Sequence, residues 1–255
     1  MRKFFALFLS LFLLFATSCA RTETVKFNKQ STLVIAHRGL SGLAIENTDE
    51  AFILAGERSY YGIEADVRKT ADGKFVIFHD DNFERLAGKS ISVENSTYSE
   101  LLAVTLSHKN KRSKIATLES FINICKQYDK QAVLEFKTNL NAQDVEQIIA
   151  EIQRLNYIEN VTFISFYYET LLAVRQTLPN QPVQLLFSEI TNELTQKLIA
   201  NRIDVGIYHK SITTKVIETF HNAGLKVNCW TVNAKSTGER LARLGVDHIT
   251  TDILE

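Results

Sequence analysis

The sequence predicts an α/β domain whose strands close into a barrel of eight, and three observations carry that prediction. Short β-branched runs alternate with stretches whose apolar residues recur at helical spacing, the mark of repeated strand–helix units around a largely parallel sheet. Little filler separates them. The 255 residues, 45% of them hydrophobic, suffice for one full core of this kind and fall short of two. Formal charge is zero and no basic stripe is present, which speaks against a nucleic-acid partner.

Residues 1–19 stand apart from that pattern. Arg2 and Lys3 precede an apolar run from Phe4 to Ala16, and Ala16, Thr17 and Ser18 lead into Cys19. This is the layout of an export signal, and the run is shorter than the roughly 20 residues a spanning helix needs. Small residues before a cysteine resemble a bacterial lipoprotein processing site, with Ala16 where such sites usually carry Leu. The resemblance implies an exported lipoprotein held to a membrane by a lipidated Cys19 and facing the periplasm or the cell surface; a soluble periplasmic or secreted protein is the alternative. Residues 20–31 are then a tether and 32–255 the folded domain. Loss of Arg2 and Lys3 with the leader turns the zero net charge into minus two. Cys125 and Cys229, far apart in periodic apolar segments, read as buried small hydrophobes.

The first strand is Leu33 to His37, and it stops abruptly at a histidine beside Arg38. After a loop, Asn47 or Thr48 caps a helix through about Glu57. Tyr61 to Arg68 and Lys74 to Asp80 are strands joined through Ala71-Asp72-Gly73. So short a connection cannot make a parallel crossover, which needs a dozen residues or more, so the two form a hairpin. With the turn centred between Ala71 and Asp72, counting sets Glu64 opposite His79, and alternation puts Glu64 and Asp66 on one face.

Residues 81–115 lack a sustained period. They form either a small excursion over the site or a plain surface loop with one short helix at Tyr98 to Val104. Thr117 then caps a helix to about Gln127, and the strand Ala132 to Thr138 carries Glu135 and Lys137 on one face. Val145, Ile148, Ile149, Ile152 and Leu155 stripe the next helix. Four further pairs follow: strand Val161 to Phe166 with helix Glu169 to Thr177, Val183 to Phe187 with Asn192 to Ala200, Val205 to His209 with Thr213 to Asn222, and Lys226 to Val232 with Ser236 to Leu244. Asp247 to Ile253 is the last strand. That makes nine strands where the barrel needs eight, so either one hairpin arm is surplus or the final short strand closes the ring.

His37 and His79 both sit where strands stop, the end from which reacting groups project in such sheets, and are candidates for a paired acid and base. Glu64, Asp66 and Glu135 lie on strands that the barrel brings to one mouth, and an all-oxygen set suits a hard divalent cation, Ca²⁺ or Mg²⁺, better than zinc. Trp230 near a strand end either stacks on substrate or fills the barrel. Phe166 reads as packing, His209 as structural or rim, and His108, His221 and His248 as surface or helix-cap residues.

In order, the segments Ala36-His37-Arg38-Gly39, Glu46-Asn47-Thr48, Glu64-Ala65-Asp66-Val67, Thr70-Ala71-Asp72-Gly73, Phe78-His79-Asp80 and Leu134-Glu135-Phe136-Lys137 resemble the glycerophosphodiester phosphodiesterases. Trp230-Thr231-Val232-Asn233 and Gly245 to Asp252 continue the likeness, which spans Leu33 to Asp252. It implies a TIM (β/α)8 barrel with a hairpin irregularity at its second and third strands and a short insertion. It further implies His37 and His79 as the catalytic pair, Glu64, Asp66 and Glu135 as ligands of a divalent metal, Ca²⁺ or Mg²⁺, and Arg38 and Lys137 as phosphate-contacting cations. Glu46 enters as a supporting residue or additional ligand. One departure is Ile45, where the family usually has the proline that stiffens this loop.

The implied reaction is metal-dependent hydrolysis of small glycerophosphodiesters to sn-glycerol 3-phosphate and an alcohol. Rival readings are a phospholipase C or D acting on intact phospholipid, which an apolar rim would favour, and an inactive diester-binding lipoprotein.

Overall fold

The computed structural model describes residues 23–108 and 110–255. The expected signal peptide, Cys19, the start of the tether and Lys109 lie outside the described residues. No helix among those described is long and apolar enough to cross a membrane.

The chain opens with β1 (Leu33–Ala36), α1 (Asp49–Gly56), β2 (Gly62–Lys69) and β3 (Phe75–Ile77). Its insertion holds α2 (Glu84–Ala87), α3 (Tyr98–Ala103) and a hairpin of β4 (Leu106–His108) and β5 (Lys111–Ser113). Regular alternation then resumes with α4 (Leu118–Gln127), β6 (Gln131–Phe136), α5 (Ala142–Arg154), β7 (Val161–Ser165) and α6 (Tyr168–Thr177). It ends with β8 (Val183–Phe187), α7 (Asn192–Ala200), β9 (Asp204–Tyr208), α8 (Thr214–Asn222), β10 (Val227–Trp230), α9 (Lys235–Leu244) and β11 (His248–Thr251).

Side-chain caps decide where several helices begin. Thr48, Thr117, Asn141, Thr191 and Thr213 each accept from a backbone N–H of the first turn, satisfying a donor that the helix cannot. Of the two cap candidates for α1, Thr48 has the role and Asn47 is free for another.

The strands run in the order β1-β11-β10-β9-β8-β7-β6-β2, all parallel, and the ring closes where Ile35 and Ala36 of β1 face Gly62 and Ile63 of β2. This is the expected eight-stranded TIM barrel. The ninth strand, β3, pairs with β2, antiparallel and outside the ring, with one bridge from Val76 to Thr117, while β11 completes the closure. Outward-facing strand residues such as Ile63, Ala65 and Val67 pack under Phe52, Phe121 and Ile122 of the surrounding helices. Each large side chain so buried contributes about 1.5–3 kcal/mol. A small inner layer of Ile35, Val133, Ile164 and Leu186 fills the barrel below its mouth, with Trp230 against it.

The hairpin register differs by one residue from the expected one. Thr70 N donates to Lys74 O at 2.8 Å around a three-residue loop whose Gly73 has φ +74°, a conformation a side chain would strain. Val67 therefore faces Ile77, and the same count sets Ala65, not Glu64, opposite His79. The ladder ends before His79 and the chain turns there, so the histidine still reaches the mouth.

Residues 81–115 form a packed excursion rather than a plain loop. Phe78, Phe83, Leu86, Val93, Leu101, Val104, Leu106 and Ile115 make a cluster of their own, which Ile45 and Val76 join to the barrel. Phe78 and Phe83 stack at 4.1 Å, fixing where the excursion leaves the hairpin. Cys125 and Cys229 are buried free thiols, as expected. His248 is not a surface or cap residue: it is buried in β11, because the strand begins at that position and turns the ring inward.

Candidate active site

The site begins in the turn after β1. Arg38 has φ +53° and Gly39 φ +74°, and a Cβ on Gly39 would lie 2.6 Å from the backbone of Ala51, so only glycine fits. This tight turn aims the Arg38 N–H at Glu64, 2.7 Å from Oε2. Asn47, also left-handed at φ +56°, donates its amide to Asp66 Oδ2 at 2.8 Å and accepts from the Asp66 backbone at 3.3 Å. Both acids of β2 are thus held by the loop preceding α1.

Glu64, Asp66 and Glu135 are buried, and one oxygen from each lies within 4.8 Å of the others. The register of β2 against β6 causes this, since Asp66 stands directly opposite Glu135. Burial, then the charges of Asp66 and Glu135, push the Glu64 carboxyl well above its usual range. Burial and Asp66 push Glu135 up to about 7. Burial would raise Asp66 as well, but Arg38 and Lys137 outweigh it and hold that carboxyl low. Glu64 Oε1 and Asp66 Oδ1 are buried without a hydrogen-bond donor. Crowded acids with orphaned oxygens are a donor set that fits a hard divalent cation.

Two cations border the acids. Arg38 Nε lies 3.3 Å from Asp66 Oδ2, and Lys137 Nζ is 2.6 Å from Glu135 Oε1 and 3.5 Å from Asp66 Oδ1. Glu46 grips Arg38 Nη1 at 2.8 Å, and its oxygens are taken by arginines rather than turned to the cavity.

His37 and His79 stand on the same mouth, each with Nδ1 engaged by a carboxylate. His37 Nδ1 is 2.7 Å from Asp252 Oδ1, and Asp252 also accepts from Ser41 Oγ at 2.9 Å and Asn233 Nδ2 at 2.6 Å. His79 Nδ1 is 2.7 Å from Asp80 Oδ1. A carboxylate at Nδ1 fixes the proton there and leaves Nε2 for exchange with a reactant. Burial lowers the affinity of His79 for a second proton.

These groups line one cavity of about 170 Å³, charged on the side of His37, Arg38, Glu64, His79, Glu135 and Lys137. Its opposite wall is apolar, formed by Ile164, Phe166, Leu186 and Trp230. Trp230 Nε1 donates to Gly206 O at 2.9 Å, which fixes the ring, and Phe166 meets it edge-on at 5.5 Å. Trp230 therefore both packs and lines the cavity, and Phe166, 48% exposed, is a wall residue rather than core. His209 lies outside the cavity beside Tyr208.

The residues that sequence reasoning left without a role here are Asn47, Asp80, Arg85, Asn233 and Asp252. Asp80 stands beside His79 within a motif segment, the one local signal for such a pairing, whereas Asp252 meets a partner 215 residues away, which leaves none.

Comparison with known proteins shows the family and the fold. Residues 37–255 match the profile of the glycerophosphoryl diester phosphodiesterase family. A glycerophosphodiester phosphodiesterase of Caldanaerobacter subterraneus is 30% identical over 228 residues, covering 87% of this chain and 94% of that one. The structure of an Oleispira antarctica phosphodiesterase in complex with its product sn-glycerol-3-phosphate is 27% identical, with a TM-score of 0.77 over 86% of this chain and 92% of that one. A Silicibacter pomeroyi protein at 23% identity shares the fold, with a TM-score of 0.81 over 90% of this chain and 91% of that one.

Proposed function

The chain belongs to the glycerophosphoryl diester phosphodiesterase family, and from that premise we propose that it hydrolyses small glycerophosphodiesters to sn-glycerol 3-phosphate and an alcohol. The observation that carries this reading is the placing of two imidazoles and the buried carboxylates of Glu64 and Glu135 around one cavity, with an Asp66 oxygen within 4.8 Å of both acids.

A phosphodiester resists attack because its charge repels nucleophiles and grows on the equatorial oxygens as attack proceeds. Glu64, Asp66 and Glu135 would hold Ca²⁺ or Mg²⁺, whose charge, when bound, offsets the charge on those oxygens. Arg38 and Lys137 donate to phosphate oxygens from the same side, already charged through their contacts with Asp66 and Glu135. One histidine takes the proton of the attacking hydroxyl at Nε2, either water or the glycerol hydroxyl beside the phosphate. The other delivers a proton from Nε2 to the departing alcohol oxygen. Asp252 and Asp80 keep the rings turned for these transfers, each worth about 10²–10⁴-fold. The indole face of Trp230 supports the glycerol carbons.

We place the protein outside the cytoplasm, held to a bacterial membrane through Cys19, on the strength of the residues around that cysteine. The apolar wall of Ile164, Phe166, Leu186 and Trp230 supports a second reading, action on a lipid that retains its acyl chains.

The test is to incubate residues 20–255 with glycerophosphocholine, with EDTA and then with added Ca²⁺ or Mg²⁺, and to assay glycerol 3-phosphate. Release that stops with chelator and returns with cation is the expected result. Cleavage of diacyl lipid alone would favour the second reading, and binding without turnover an inactive carrier.

A further inference from the structure

The insertion sends one side chain back into the machinery of the barrel mouth. Arg85, in the short helix α2, donates from Nε to Asp80 Oδ2 at 2.8 Å and from Nη2 to Asp80 Oδ1 at 3.1 Å. The same guanidinium donates from Nη1 to Glu46 Oε2 at 2.8 Å and from Nη2 to Glu46 Oε1 at 2.7 Å. Both oxygens of both carboxylates accept from it. Those carboxylates are the ones that hold His79 and Arg38. We propose that Arg85 is a positioning residue: one guanidinium from the insertion sets the imidazole through Asp80 and the phosphate-binding arginine through Glu46.

The chemistry requires an arginine. Its planar fork presents paired N–H groups to both oxygens of two carboxylates at once, whereas an ammonium has only three N–H donors on one atom and cannot pair with all four oxygens. Burial works against ionising Asp80 and Glu46, and Arg85, together with Arg38 at Glu46 and His79 at Asp80, outweighs it and holds both carboxyls below their ordinary range. The helix that carries Arg85 is itself fixed. Phe83 is fully buried and stacked on Phe78, Asn82 Oδ1 accepts from the Glu84 N–H at 2.9 Å, and Gly88 ends the turn at φ +60°. Arg85 is thus delivered by a packed element rather than a loose loop, although its own side chain is 45% exposed.

This inference rests on the acid–base role proposed for His79, and two measurements keep the two claims separable. The first is the ring tautomer of His79, read by nitrogen NMR on histidine-labelled protein and assigned with His79→Gln. In the wild type the proton stays on Nδ1, and in Arg85→Ala the ring exchanges between both tautomers. A ring unmoved by Arg85→Ala overturns the proposal whether or not the protein turns over glycerophosphocholine. The second is kinetic. Arg85→Ala is expected to lower kcat about 10²-fold with KM within about threefold, as a small misplacement of a reacting group does. Arg85→Lys stays at least about tenfold down, and Lys89→Ala, a neighbouring surface charge, changes kcat less than about twofold. The double variant of Arg85→Ala with Asp80→Asn falls short of the product of the two losses, because both act on the His79 ring and only the Glu46 arm is separate. Losses that multiply, a change in KM alone, or wild-type kcat in an active Arg85→Ala enzyme would each refute it.

Discussion

At the scale of single residues, the site is a set of side chains each assigned one hydrogen-bonding direction. His37 and His79 are pinned at Nδ1 and open at Nε2, so on the proposed mechanism removing either ring removes a proton transfer without removing a core contact. His37→Ala and His79→Ala should each lower kcat by about 10²–10⁴-fold with unchanged melting temperature, measured by glycerol 3-phosphate release and calorimetry. His248 makes a different prediction. Buried near Tyr61, Lys226 and Asp247 with Nδ1 unpaired, it is lowered by burial to about 4. Below its ordinary value near 6.5, the unfolded chain takes up a proton that the folded ring refuses, so its contribution weakens as pH falls toward 4. In urea unfolding, His248→Gln should gain about 2 kcal/mol relative to wild type between pH 7 and pH 5. A constant difference across that range would exclude it.

At the scale of elements, the insertion stands or falls by its own small core. Phe83 joins that cluster to the hairpin through its stack on Phe78 and positions α2, hence Arg85. Phe83→Ala should cost about 3–5 kcal/mol of local stability. Hydrogen exchange should quicken in α2, α3 and the β4–β5 hairpin while α5 to α9 keep their protection, because the barrel core does not include Phe83. Uniform loss of protection would mean that the excursion and barrel unfold as one unit.

At the scale of the whole molecule, closing the ring forces β2 against β6 and so gathers three acids that repel one another. A cation that binds them in the folded state alone raises stability by about 2.7 kcal/mol at a hundredfold excess over Kd, or about 5–10 °C for a domain of this size. Thermal shift with Ca²⁺ and Mg²⁺ measures it, and Glu64→Gln or Glu135→Gln should abolish the shift. Attachment is also a property of the whole chain. Radiolabelled palmitate should mark the full-length protein in a bacterial host and leave Cys19→Ser unlabelled; equal labelling would exclude that anchor.

Read by itself, the sequence determined the barrel, its elements and the strand ends at which the candidate site gathers. These follow from local rules: strand side chains alternate, helical stripes recur every three to four residues, and threonines cap where a helix starts. Hence Asn192–Ala200 was legible to the residue, and His37, Glu64, Asp66, His79, Glu135, Arg38, Lys137 and Trp230 could be named before any coordinates. Only the tertiary structure decided the one-residue slip around Gly73, the burial of His248, the apolar wall with Phe166, and the partners Asn47, Asp252 and Arg85. Each of these depends on where distant backbone lies, as when Arg85 meets Glu46 across 39 residues. Residue type and spacing along the chain carry no record of such a meeting until the ring has closed and the insertion has packed.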